Sequence, residues 1–191
     1  MDRLDGIIKF LQSKQQPERV ATYHDPEKVA RIIQTANPSW TYGEIELKAI
    51  DAVFNGSKWV LLMGNKGTGK TTLLRLVSDA FRLIEQRKCE LISTAKFNLE
   101  FGKSGEDVIL QREHGLLMLD DLGIENQVQT RYGTQSDPVS TLLFLRYESR
   151  ARTFCSTNLN AEQLKSRYGD RLADRFKEMF TVIAFEGESK R

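Results

Sequence analysis

Three groups of residues in this chain could do phosphate chemistry. The first is Gly64-Asn65-Lys66-Gly67-Thr68-Gly69-Lys70-Thr71, continued by Thr72, with an apolar run (Trp59–Met63) before it and a helix-like run after it. A glycine-rich loop between a strand and a helix turns backbone amides toward phosphate oxygens, and the helix dipole adds to the attraction. Gly64, Gly67 and Gly69 permit positive φ and leave room for phosphate against bare backbone. Lys70 would set a point charge against the β- and γ-phosphates, and the Thr71 hydroxyl would be a ligand to Mg²⁺. The second group is Asp120-Asp121, at the end of the apolar run Leu116–Leu119. A buried strand ending beside a phosphate loop would give Asp120 to the Mg²⁺ and let Asp121 orient or deprotonate an attacking water. Taken alone, Asp-Asp-Leu-Gly could equally open a turn. The third is Asn158, at the end of Thr153-Phe154-Cys155-Ser156-Thr157. Its amide could reach a γ-phosphate or the lytic water, or it could be no more than a cap or turn residue ahead of Leu159.

The elements that must position these groups follow a regular rhythm from Lys58 onward. Strands are expected at Trp59–Met63, Glu90–Thr94, Leu116–Leu119, Thr153–Thr157 and Thr181–Phe185. Helices are expected at Thr71–Arg87, Asp107–Glu113, Pro138–Ser149 and Ala161–Phe176. Such alternation gives an α/β fold, a parallel sheet covered by helices with ligands at the carboxyl ends of the strands. Phe97 to Glu106 reads as less regular, and Gln127 to Asp137 as a polar loop. Upstream, Leu4, Ile7, Ile8, Phe10 and Leu11 have helical spacing in a segment too short to stand alone. A helix follows from Asp25-Pro26, and Thr41 with Glu44 suggests a capping box for another through Phe54.

Composition narrows the setting. Twenty-eight Lys and Arg against 26 Asp and Glu give a net charge of +2, so charge by itself points to no partner. Cys89 and Cys155 stand apart in strand-like runs and read as core thiols. No leader-like segment and no apolar run of membrane-spanning length is present, so a cytoplasmic protein with no membrane partner is expected. An Asn-Lys-x-Asp guanine signature is absent, since Asn65-Lys66 is followed by Gly67-Thr68; ATP is therefore expected over GTP. Arg171 and Arg175, four apart on one helix face, could be a solvated pair or could reach into a neighbour's site.

Together the segments GNKGTGKTT, LLMLDDLGIE, RYGTQSDPVSTLLFLRYESRARTFCSTNLN, RYGDRLADRF and the terminal FEGESKR resemble the DnaC/DnaI helicase-loader and IstB transposition-helper branch of the AAA+ ATPases. The resemblance runs from about Ile45 to the end. It implies an AAA+ P-loop core with a five-stranded parallel sheet in the order 5-1-4-3-2, sandwiched by helices, with ATP sites shared between self-associated subunits. It makes Asn158 similar to sensor 1, Arg175 to the trans-acting arginine, with Arg171 the second choice, and Arg191 to the sensor-2-like arginine. Residues 1–44 would then be a short helical extension and 45–191 the ATPase domain, with no helical lid after it. Loaders of this branch usually carry a larger helicase-gripping region. Asp121 stands where many AAA+ ATPases have Glu, which suits slow, switch-like hydrolysis.

The segment after the second strand is where this branch would contact DNA. It carries Lys96 and Lys103, with Phe97 and Phe101 available for stacking on bases, although the same residues fit an amphipathic helix with core phenylalanines. The implied function is an ATPase helicase loader that binds a replicative helicase and single-stranded DNA. The alternatives are a transposition helper binding duplex DNA and a transposase, a P-loop small-molecule kinase, and a protein using ATP only as an assembly ligand.

Overall fold

The structure, a computed structural model, describes residues 22–126, 129–131 and 134–185. The helical spacing at Leu4–Leu11 and the terminal Arg191 lie outside these residues. Helices α1 (Pro26–Ala36) and α2 (Glu44–Phe54) come first. Then follow β1 (Trp59–Gly64), α3 (Lys70–Ile84), β2 (Cys89–Ser93), α4 (Thr94–Ser104), α5 (Asp107–Leu110) and β3 (Leu116–Asp120). A short pair, β4 (Gln129–Arg131) and β5 (Thr134–Ser136), precedes α6 (Pro138–Glu148), β6 (Thr153–Thr157), α7 (Ala161–Met179) and β7 (Phe180–Phe185).

Five of these strands form one parallel sheet in the order β2-β3-β6-β1-β7. Numbered by their own sequence order and read from the opposite edge, that is 5-1-4-3-2. Side-chain alternation along the strands divides the core in two. Val60 and Leu62 of β1, Met118 of β3 and Phe154 of β6 join Ile50, Val77 and Phe81 on the face covered by α1, α2 and α3. Trp59 and Leu61, Leu117 and Leu119, and Cys155 face the layer of α4 to α7, with Phe97, Leu142 and Leu172. Strands buried on both faces have no polar side to show, which is why β3 and most of β1 read as unbroken apolar runs. Both thiols are free and buried, as expected of core cysteines. Burial pushes the Cys89 thiol up to about 12 and raises that of Cys155 further.

Three expectations need correction. Phe97 to Glu106 is not irregular: α4 spans most of it, started by the Ser93 hydroxyl accepting from the Lys96 amide at 3.2 Å and stopped at Gly105, φ 70°. A buried Asn98 beside Phe97 and Phe101 interrupts the apolar pattern that would have revealed it. Residues 127–137 are not all loop, because β4 and β5 pair antiparallel, Gln129 opposite Ser136 and Arg131 opposite Thr134. Backbone pairing of this kind makes no demand on side-chain hydrophobicity. The start of α2 lies two residues beyond the expected cap: Glu46 accepts from the Gly43 amide at 2.9 Å.

At the amino ends of β3 and β6 sits Arg146 of α6, with 0% of its surface exposed. Its Nε donates to the Thr153 hydroxyl (2.8 Å), Nη1 to the carbonyls of Arg112 and His114, and Nη2 to those of Gly115 (2.8 Å) and Arg152 (2.7 Å). Five donors thus meet five acceptors, and burial lowers the guanidinium to about 10. Replacing Arg146 with Met would leave those oxygens unmatched in the interior. The expected loss is about 3 kcal/mol or more, seen as a fall of roughly 6–12 °C in Tm. Arg146→Lys should recover little, because an ammonium cannot reproduce the planar fork.

Candidate nucleotide site

The phosphate loop leaves β1 and enters α3 without a break. Gly67 and Gly69 take left-handed φ values of 85° and 95°, and Gly69 caps the helix. Gly64 is required for a different reason: a Cβ there would lie 2.2 Å from the Phe185 carbonyl oxygen of β7. The loop is therefore built against the strand next door as well as around its own turn. Asn65 and Lys66 are exposed at its tip, whereas Thr68 is buried and its hydroxyl donates to the Asn65 carbonyl at 3.0 Å.

Lys70, 5% exposed, lies across the inside of the loop. Its ammonium donates to the carbonyls of Gly64 and Asn65, both at 2.7 Å, and to the Asn158 amide oxygen at 2.9 Å. Burial lowers its pKa, opposed by the negative charges of Asp121 and Asp120. Asn158 is the bridge, since its Nδ2 donates to Asp121 Oδ1 at 3.2 Å. One residue earlier, Asp120 Oδ1 accepts from the Thr71 hydroxyl at 3.0 Å and from the Ser156 hydroxyl at 2.5 Å. The backbone at Asp121 turns left-handed, φ 57°, with its amide donating to Ser156 Oγ (2.9 Å) and its carbonyl accepting from Thr94 Oγ1 (2.8 Å). Lys70, Thr71, Asp120, Asp121 and Asn158, read separately from sequence, thus lie in one connected hydrogen-bond network at the carboxyl ends of β1, β3 and β6.

A cavity of about 610 Å³ opens over this network. Lys66, Gly67, Gly69, Lys70, Thr71 and Thr72 form its floor, Asp121 and Asn158 one side, and Leu73 and Leu76 of α3 an apolar wall. Asn37, Ser39, Trp40 and Thr41, from the α1–α2 connection, complete its lining together with Glu46 of α2. The arrangement supplies amides and an ammonium for phosphates and, in Leu73, Leu76 and Trp40, apolar surface for a flat base. Thr71 and Asp120 offer hard oxygen donors already within 3.0 Å of each other, which fit a Mg²⁺ that keeps the rest of its shell as water and phosphate.

Neither Arg171 nor Arg175 lines this cavity. Arg175 donates to the Tyr147 hydroxyl at 3.0 Å, lies over that ring at 4.9 Å and sits 3.8 Å from Glu178. Arg171 lies over Phe144 at 5.3 Å. The expected base-stacking role of Phe97 is contradicted. It is 0% exposed, packed in the core beneath α4, and has no face to offer a base. Lys96 and Lys103 do project from α4, with Leu99, 68% exposed, between them.

Sequence reading passed over several participants. Ser156 was hidden within a strand, though a small hydroxyl two residues before a candidate sensor was a usable signal. Trp40 and its neighbours carry no motif and reach the cavity only through tertiary packing. Glu125 appears within the quoted LLMLDDLGIE segment, but nothing local shows its buried contacts.

No protein-family model matches the chain. Among curated proteins, 65 residues, 34% of this chain, are 31% identical to ABC transporter E family member 1 of Arabidopsis thaliana, and the match spans 10% of that protein's length. Solved structures align far more completely. The DnaC helicase loader matches with TM-score 0.63 and 19% identity over 78% of this chain and 95% of its own. DnaI matches with TM-score 0.58 and 19% identity, covering 94% and 89% of the two chains. The replication initiator DnaA, bound to AMPPCP and single-stranded DNA, matches with TM-score 0.60 and 16% identity over 79% of this chain and 49% of its own. The fold is the one these solved structures share, and its five-stranded parallel sheet has the order expected of an AAA+ P-loop core.

Of the two tryptophans, Trp59 is core and Trp40 lines the cavity. Nucleotide should therefore change tryptophan emission, and Trp40→Phe should abolish the change while the protein stays folded. Lys70→Ala should weaken the binding read this way by about 10- to 100-fold, the loss of one charge-assisted contact. A response retained in full by Trp40→Phe would place the ligand elsewhere.

Proposed function

We propose that this chain is an ATP-binding and ATP-hydrolysing replication protein of the DnaC/DnaI type, a helicase loader acting on single-stranded DNA. The observation that carries the reading is the Lys70–Asn158–Asp121 bridge beside the Thr71–Asp120 pair, set in an AAA+ core. Similarity to DnaC, DnaI and DnaA supports the replication context. We place it in the cytoplasm; among the described residues no helix is long and apolar enough to cross a membrane.

In this reading the loop amides and Lys70 hold the β- and γ-phosphates, and the purine lies between α3 and Trp40. Mg²⁺, held by Thr71 and Asp120, would draw charge from the phosphates. Asp121 accepts the proton of the attacking water, and Asn158, hydrogen-bonded to it, fixes that water in line with the γ-phosphate. Arg175 of one subunit stabilises charge in the site of the next, with Arg171 as the second candidate; Arg191 would complete the nucleotide shell. Tyr147 holds Arg175 by ring and hydroxyl, a mount for a group meant to act outward. Residues 45–191 form the ATPase domain and residues 1–44 an extension that grips the helicase and lends Trp40 to the base. Lys96 and Lys103 contact the DNA backbone.

The reading is tested by hydrolysis measured against protein concentration, with and without single-stranded DNA. Turnover per subunit should rise with concentration and with DNA, and Asp121→Asn should bind ATP yet turn over at least about 100-fold more slowly. Arg175→Ala and Asp120→Asn, each inactive alone, should regain activity when mixed. Flat, DNA-blind turnover would sink the shared-site reading. Strict preference for duplex without capture of a replicative helicase would favour a transposition helper.

A further inference from the structure

The loop that leaves Asp121 does not return directly to solvent. Leu122 is fully buried, its amide donating to the Ser156 carbonyl at 2.7 Å and its own carbonyl accepting from Thr157 Oγ1 at 2.7 Å. Three residues on, the Glu125 side chain is 0% exposed. Its Oε2 accepts from the Gly123 amide at 2.9 Å, and its Oε1 from the Tyr168 hydroxyl at 2.5 Å and Arg167 Nη2 at 3.0 Å. The Glu125 carbonyl takes a further bond from Arg167 Nη2 at 2.6 Å. Asn98 of α4 then holds the Asn126 carbonyl at 2.8 Å.

What Glu125 grips is the end of the first half of α7. Directly after Tyr168 the helix is broken at Gly169, φ 76° and ψ 165°, and the second half carries Arg171 and Arg175. Tyr168 spans the break. Its hydroxyl belongs to Glu125, while its ring packs edge-on to Phe176 at 5.7 Å, the residue beside Arg175. Burial, and then the Glu125 charge, raise the phenol's pKa, so the hydroxyl remains a donor across the physiological range. A core needing only to be filled gains little from a fully buried carboxylate. Such groups are best attested where one arrangement must be selected over another.

We propose that Glu125 is a positioning residue, the latch that ties the loop leaving Asp121 to the half-helix presenting Arg175 to a neighbouring subunit. The inference rests on the shared-site reading above. Its consequence is that Glu125 serves the next subunit's hydrolysis more than its own. A change in the Asp120-Asp121 strand end as the phosphates are cleaved would pass through Leu122 and Glu125 to the arginine outside.

The test uses the full chain. Glu125→Ala should bind nucleotide within about 2-fold of the parent by Trp40 emission, yet hydrolyse it up to about 100-fold more slowly, the scale of a misplaced catalytic group. Tyr168→Phe, which removes only the hydroxyl, should show a smaller loss of the same kind and guards against a folding defect in the first variant. Mixed with Asp120→Asn, which keeps its latch, each should regain activity, as the Arg175→Ala mixture does. Unchanged hydrolysis in both variants, or lost nucleotide affinity in both, would overturn the proposal. So would failure of both to recover in a mixture where Arg175→Ala recovers. If the Arg175→Ala mixture also stays silent, the shared-site reading falls and the latch falls with it.

Discussion

A single buried carboxylate oxygen holds the chemical end of this molecule together. Asp120 Oδ1 takes hydroxyl protons from Thr71 at the first turn of α3 and from Ser156 in β6, while Asp120 itself closes β3. Helix and both strands are thereby fixed at one point, and the short contact to Ser156 is of the charge-assisted kind that gains strength away from water. The sheet supplies the rest. Because β3 and β6 pair with Leu119 opposite Cys155, the residues just beyond each, Asp120 and Ser156, arrive side by side. Asp121 and Asn158 follow at the sheet's edge, close enough to bond. A shift of one residue in this register would turn the carboxylate to the other face of the sheet and undo the site.

What could be read in the sequence was whatever the chain states locally. The loop from Gly64 to Thr71 and the Asp pair each sit at the end of a strand whose apolar run is continuous, and burial on both faces makes such runs conspicuous, whereas Asn158 ends the mixed run Thr153–Thr157. Phe97 is ambiguous in the sequence for the same physical reason that α4 is hard to see there. A half-buried helix with an asparagine on its inner face does not separate a stacking aromatic from a core one. Ser156, Trp40 and Glu125 were not legible as participants. Their partners lie on other elements, and no spacing within the chain encodes a contact made across the sheet.

The two ends of the sheet are built on opposite principles. At the amino ends of β3 and β6, Arg146 meets every acceptor around it with one rigid guanidinium, an arrangement with a single solution. At the carboxyl ends the polar groups share partners: Lys70 divides its protons among loop carbonyls and Asn158, and Asn158 divides its amide between Lys70 and Asp121. Such groups can exchange partners without being left unsatisfied. The molecule therefore has a fixed base and an adjustable rim, and the latch at Glu125 joins that rim to the outer helix.

The sheet order also bears on how the chain acquires its site in time. The strand that launches the phosphate loop is central, with Val60 lying between Phe154 of β6 and Thr181 of β7. Both neighbours are made long after it, and Gly64 pairs with Phe185 at the end of β7. During synthesis β1 would leave the ribosome with both hydrogen-bonding edges bare and its loop unsupported, while α3 is already able to form. Contacts of such long sequence separation are slow to close, and exposed strand edges in the interval invite association with other chains. The nucleotide-binding segment, though early in the sequence, is thus among the last parts of the domain to mature. A nascent chain cannot complete this site until nearly all of the domain has been made.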